Sequence, residues 1–184
     1  IHADGSGEQG VSARVYPALV PREHPLAAVR GAFNAVFVEA EAAGSLMFYG
    51  AGAGGVQTAS AVLGDLVSAA KRHVAGGPGL ADSVHANLEV LPIERIYTRY
   101  QITIQAKDQP GVLAQIANIF ADHGVSVETV EQSVNPSEPG KTPTASLMVG
   151  THEATDASLS SVVNSLAASE AVESITSVIR VEGL

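Results

Sequence analysis

The chain has 184 residues, 46% hydrophobic and only 16% charged, which excludes a disordered polymer and leaves room for one large or two small domains. A formal net charge of −9 argues against nucleic acid or an anionic membrane as a general partner, while leaving open a local site for an anionic cofactor. With no cysteine there is no disulfide framework, thiol nucleophile or thiolate metal site, which fits the cytoplasm, and no apolar run is long enough to span a bilayer.

The sequence opens Ile1-His2-Ala3-Asp4-Gly5 without methionine, as expected of a fragment, a processed product or a chain whose earlier part is missing. Residues 2–10 are polar and glycine-rich and read as a frayed entry. Val11 to Tyr16 alternates apolar and polar residues and predicts a strand that stops at, or follows, a sheet edge where Pro17 and Pro21 intervene. Pro25-Leu26-Ala27-Ala28-Val29 predicts a short helical turn with proline at its first position. Asn34–Ala40 reads as a strand, Glu41 to Gly44 as a turn, and Ser45–Tyr49 as the antiparallel partner.

The stretch from Leu46 to Ala61 is then a strand, a glycine-rich loop and a helix start. Gly50, Gly52 and Gly55 satisfy G-x-G-x-x-G in that setting. Glycines let backbone approach a ligand, and a helix N-terminus offers unpaired N–H groups to an anion. On the residues alone, a phosphate- or dinucleotide-facing loop and a plain glycine turn stand equally. A complete dinucleotide fold needs several βαβ units and an acidic residue about 20 positions on; only one unit is visible, and Asp82 falls in an irregular stretch. The chain cannot hold a dinucleotide by itself.

Ala59, Val62, Leu63, Leu66, Val67 and Ala70 place a helix over about Thr58–His73, with Lys71, Arg72 and His73 suiting its negative end and Gly76-Gly77 stopping it. Residues 76–97 read as a linker with one short strand near Asn87–Leu91. From Arg99 a half-buried strand has Tyr100, Ile102, Ile104 and Ala106 on one face, with polar Gln101, Thr103 and Gln105 on the other. After the Asp108-Gln109-Pro110-Gly111 turn, Leu113, Ile116, Ala117 and Phe120 predict a helix closed by Gly124. Val125–Val134 reads as a strand bulged at Val130, Asn135–Pro143 as a loop and Thr144–Thr151 as a third strand. Leu159, Val162, Val163, Leu166 and Ala167 form a second helix, and Ile175, Ile179 and Val181 a fourth strand. The order β-α-β-β-α-β is ferredoxin-like. The fold class is α+β: a partial mixed sheet domain over 1–75, the linker 76–97, and a ferredoxin-like domain over 98–184.

Chemistry-bearing residues are sparse. No two of the six histidines stand i, i+4 on one helix, so no metal site is expected. Ser60 lacks a G-x-S-x-G elbow, which leaves Thr58 and Ser60 with a capping or first-turn role. Lys71, Lys107 and Lys141 sit at a helix end, a strand end and a polar loop, none buried as a tuned acid or base would be. Glu39 and Glu41 flank the hairpin turn and read as solvated. No catalytic residue is assigned.

Two blocks resemble known families. Asn34–Ala40, Leu46–Gly54 and Thr58–Asp65, with the upstream Val11–Pro17 and His24–Ala27, resemble the C-terminal part of the catalytic region of homoserine dehydrogenase. Asp108-Gln109-Pro110-Gly111-Val112-Leu113-Ala114 resembles the opening of an ACT domain, the regulatory module that many of these enzymes carry. The resemblance implies an NAD(P)-dependent oxidoreductase interconverting aspartate semialdehyde and homoserine, with its main cofactor sheet and catalytic lysines upstream of Ile1. Gly50, Gly52, Ala53, Gly54, Gly55 and Thr58 would close the cofactor site near the nicotinamide. No cofactor is expected to bind tightly to these 184 residues alone, which are expected to be inactive. Many members have proline before the threonine, where this chain has Gln57. The ACT resemblance implies an amino-acid effector, threonine as the pathway end product, met by Asp108 and by the N–H groups of Gly111 and Val112, and a homodimer. Against this stands a merely structural turn. The alternative for the whole chain is a non-catalytic amino-acid-sensing and oligomerising module.

Overall fold

The structure, a computed structural model, describes residues 2–3, 9–76, 88–135 and 143–183. Along the chain come the short strands β1 (His2–Ala3), β2 (Gln9–Val11) and β3 (Ala18–Leu19). A 3-10 turn over Pro25–Ala28 leads to β4 (Phe33–Ala40), β5 (Gly44–Ala51) and the helix α1 (Gly55–Ala75). Next are β6 (Glu89–Val90), β7 (Tyr97–Lys107), α2 (Val112–Asp122) and β8 (Val127–Val134). The chain closes with β9 (Thr144–Thr151), β10 (Ala154–Thr155), α3 (Asp156–Ala168) and β11 (Val172–Val181).

These elements form two compact units, one of residues 1–19 with 88–184 and one of residues 20–87. The first holds the ferredoxin-like sheet, in the order β3-β11-β7-β9-β8, with β10 beside the start of β7. Its four long strands pair antiparallel, whereas β3 runs parallel to β11 at the edge. The alternation read along β7 is realised: Tyr100, Ile102, Ile104 and Ala106 are buried, while Gln101, Thr103 and Gln105 are only half-buried on the face without helices. Ile102, Ile104, Leu147 and Val149 pack with Ile116 and Phe120 of α2 and Leu159, Val162 and Leu166 of α3, every one at most 2% exposed. Each such side chain contributes about 1.5–3 kcal/mol by leaving water. Gly124, at φ +67°, lets the chain turn out of α2, and the Thr155 hydroxyl caps α3 by accepting from Ser158 N at 3.2 Å.

In the second unit β4 and β5 pair in unbroken register from Phe33↔Ala51 to Ala40↔Gly44. The Phe33 and Tyr49 rings stack at 4.9 Å, and His24 meets Phe37 edge-on at 4.6 Å. The 3-10 turn has Pro25 at its first position, as expected, and His24 Nδ1 caps it by accepting from Leu26 N at 3.2 Å. None of the residues of α1 is buried.

Several expectations need correction. The strand expected over 11–16 is not there: only Val11 belongs to a strand, and residues 12–17 have no regular structure. The strand instead falls between the two prolines, at Ala18–Leu19, on a sheet edge where a missing N–H is tolerated. The register slip in β8 lies between Val127 and Thr129, ahead of Val130, and the strand starts at Val127. Helix α1 starts at Gly55, before Thr58. Residues 1–19 cluster with 88–184 instead of with 20–75, because β2 pairs with β6 and β3 with β11. Asp82, Lys141, His85 and most of the expected 135–143 loop lie outside the described residues.

Candidate functional site

The glycine loop is built by the hairpin and α1. Strand β5 ends at Ala51, and Gly52 N donates to Ala32 O at 3.0 Å, holding the loop to the start of the hairpin. A Cβ on Gly52 would collide with the Asn34 carboxamide, which packs against the bare glycine and would have to move aside. Gly54 has φ +136°, and a Cβ there would strike the Gln57 side chain. Gly50 and Gly55 face open space. Thr58 N donates to Gly54 O at 3.0 Å, closing the first turn of α1, and no side chain caps that end. Thr58 and Ser60 are therefore not the cap; they lie in the first two turns.

The first turn of α1 carries no acidic residue, so nothing opposes an anion near its unpaired N–H groups. Gly54, Gly55 and Thr58 line a surface hollow of about 660 Å³ together with Ala59, Val62 and Leu63. Gly50 and Gly52 line a separate hollow of about 300 Å³ with Asn34, Val36, Phe48 and Tyr49. The expected cofactor residues thus divide between two hollows, and Ala53 borders neither lining. Asn34 was not singled out from the sequence. It is the second residue of β4, opposite Gly50 in the hairpin, and only the folding of the hairpin brings it to Gly52.

The second candidate site is the turn after β7. Asp108 N donates to Pro143 O at 2.8 Å, and no described residue partners the Asp108 carboxylate. Gly111 sits in the left-handed region at φ +89° and precedes the first residue of α2, again with no acidic residue in the first turn. The Val112 N–H donates to Gln109 O at 3.3 Å, leaving Gly111 as the freer of the two donors expected there. Among the described residues no group of three metal-ligating side chains converges. Glu39 stands opposite Ser45 at the hairpin end, exposed, and Lys71 lies in the last turns of α1.

The family model described as homoserine dehydrogenase matches residues 2–67, and that of the ACT domain matches 100–171. The homoserine dehydrogenase of Mycobacterium tuberculosis (strain ATCC 25618 / H37Rv) is 55% identical over 177 residues, covering 96% of this chain. That of Corynebacterium glutamicum is 47% identical over 176 residues, again 96% of this chain. The chain carries a homoserine dehydrogenase segment followed by an ACT domain. It corresponds to the C-terminal part of that family and spans about 40% of the length of the curated relatives it matches. In structure it resembles a homoserine dehydrogenase from Thiobacillus denitrificans, with a TM-score of 0.82 and 34% identity over 95% of this chain and 40% of that one. A Staphylococcus aureus homoserine dehydrogenase solved at pH 7.5 shares the fold at a TM-score of 0.52 and 22% identity. The homoserine dehydrogenase match holds the hairpin, the glycine loop and the first half of α1; the ACT match holds the Asp108 turn and both helices of the ferredoxin-like sheet.

Proposed function

We propose that this chain is the part of a homoserine dehydrogenase that completes the nicotinamide side of the cofactor site and senses an amino acid. The complete enzyme is an NAD(P)-dependent oxidoreductase interconverting aspartate semialdehyde and homoserine. The observation that carries the reading is the 55% identity to a named homoserine dehydrogenase along 96% of the chain. The geometry supports it: an acid-free helix N-terminus entered through glycines, two of which leave space where a Cβ would stand. The cofactor supplies the hydride chemistry. These residues would border it, Gly55 and Thr58 from the helix start and Gly50 from the strand end, and exclude water there. Among the described residues no lysine, histidine or carboxylate lines either hollow of the loop, and the 184 residues alone should not oxidise homoserine.

The loop is tested in the complete enzyme with Gly55→Val. Gly54→Val is unsuitable, because the positive φ and the Gln57 contact would strain the turn and confuse obstruction with misfolding. At Gly55 a side chain enters open space at the first helical position. The variant should keep its melting temperature and raise KM for the cofactor at least tenfold. Unchanged kinetics would reduce the loop to a structural turn.

The ACT domain is read as the sensor of an amino acid, threonine as the pathway end product, with the Asp108 carboxylate accepting from its ammonium and the Gly111 N–H meeting its carboxylate. The outer edge of β8 is the open edge of the sheet, β3 occupying part of the other, and edge pairing between two copies would give a homodimer. A ligand of the folded form stabilises it by about 2.7 kcal/mol at a hundredfold excess over its dissociation constant. Threonine should raise the melting temperature of this chain, and Asp108→Ala should abolish the rise. If threonine, homoserine, isoleucine and methionine all leave the melt unmoved at millimolar concentration, the ACT domain serves assembly only. The second reading, a non-catalytic amino-acid-sensing and oligomerising module, is favoured by one observation: the ACT unit alone has a complete core. The mass of the protein in its source cell separates the two: near 19 kDa for the module, about twice that for the enzyme.

A further inference from the structure

At the start of β7, the opposite end of that strand from Asp108, a cluster of charged and aromatic side chains joins the two family matches. Arg180 stands opposite Tyr100 on one side and Ala18 on the other. Its Nη2 donates to Asp156 Oδ1 at 2.6 Å and to Tyr100 Oη at 3.3 Å, while Tyr100 Oη donates to the same carboxylate oxygen at 3.0 Å. The guanidinium carbon lies 4.8 Å from the centre of the Tyr16 ring and 5.3 Å from that of Tyr100, a cation between two π-faces. The Tyr16 hydroxyl donates to Glu182, which Arg14 Nη2 approaches at 4.0 Å. The backbone closes the same contact, Glu182 N donating to Leu19 O at 2.9 Å.

Tyr100 and Asp156 belong to the ACT match, Arg14 and Tyr16 to the homoserine dehydrogenase match, and Arg180 and Glu182 lie beyond both. Strand β3 has two residues and two paired positions, too few to hold an edge by backbone pairing alone. The side chains must supply the rest. We propose that Arg180 is the positioning residue of a joint that holds residues 14–17 and the short edge strand β3 against β11, so that the ACT domain grips the homoserine dehydrogenase segment immediately before Val20. The chain returns from residues 20–87 into β6, which is itself paired with β2. The ACT unit thus takes in short strands from both sides of residues 20–87 in the sequence, β2 and β3 before them and β6 after.

The joint is tested by amide hydrogen exchange on the 184-residue chain. Asp156 is buried, so Arg180→Ala leaves an unpaired carboxylate and itself endangers the fold. Tyr16→Ala leaves the Arg180–Asp156 pair intact and is the deciding variant. It should speed exchange at the Glu182 amide, which donates to Leu19 O, at least tenfold, with Ile102 and Ile104 unchanged within about twofold. Tyr16→Phe, which keeps the ring over Arg180, should restore most of the protection, and Arg180→Lys, which keeps the charge without the flat face, should fall between. Unchanged exchange at Glu182 in Tyr16→Ala, or loosening spread evenly through β7 and β9, overturns the proposal.

Discussion

The two units spend similar residues to opposite effect. In the ACT unit, Ile116 and Phe120 on α2 and Leu159, Val162 and Leu166 on α3 are at most 2% exposed. In the other unit, Val62, Leu63, Leu66 and Val67 follow an equally regular helical stripe on α1 and are 49–60% exposed. The hairpin is apolar on both faces, with Val36 and Phe48 paired on one and Phe33 and Tyr49 stacked on the other, all of them exposed. Strands apolar on both faces are made to be covered on both. A periodic stripe therefore encodes a face and not its partner. The ACT unit contains its partners; in residues 20–87 the described elements do not cover one another.

Substitutions sharpen this contrast. Ile104→Ala, in the dry core, should destabilise the ACT unit by about 2–5 kcal/mol in a denaturant melt. Leu66→Ala on α1 should change stability by no more than about 0.5 kcal/mol. Comparable losses from the two in this chain would break the comparison. In the complete enzyme, where the stripe is expected to be covered, the cost of Leu66→Ala should rise toward that of a core residue.

A smaller effect separates two neighbouring glycines within the uncovered unit. Gly54→Ala must adopt a positive φ against Gln57 and should cost about 1–3 kcal/mol. Gly55→Ala meets nothing and should stabilise α1 by about 0.4–1 kcal/mol, read by thermal melting of helical circular dichroism. Equal effects would mean that the loop has no fixed conformation at Gly54.

The smallest effect is a pH dependence in the ACT unit. Partial burial, reinforced by the hydrogen bond to Glu182, pushes the Tyr16 hydroxyl from 10.0 up to about 12. Burial also raises Tyr100. A raised phenol favours the protonated form in the folded state, so its contribution is complete below pH 10 and is lost as pH climbs from 10 through about 12, where the unfolded chain releases its proton first. Stability should decline across that window, and Tyr16→Phe should flatten part of the decline. An unchanged slope in that variant would remove Tyr16 from the effect.

Local pattern made most of the secondary structure legible. The period-2 burial of β7, the proline at the start of the 3-10 turn, Gly124 after α2 and the β-α-β-β-α-β order are all consequences of side-chain spacing and backbone permissiveness, which neighbouring residues determine. The glycine loop and the Asp108 turn were likewise visible as short motifs. Asn34 against Gly52 was not, because the contact is made by folding the hairpin back on itself. The Arg180 joint was equally hidden: Tyr16, Tyr100, Asp156 and Arg180 are scattered along the chain, and nothing in their separate neighbourhoods marks them as partners. Sequence spacing determined which faces are apolar and where the chain turns. Only the tertiary structure decided that Ala18–Leu19 joins the ACT sheet, because a parallel edge pairing across the length of the chain has no local signature, and its charge pairs and ring contacts exist only once β3 and β11 lie side by side.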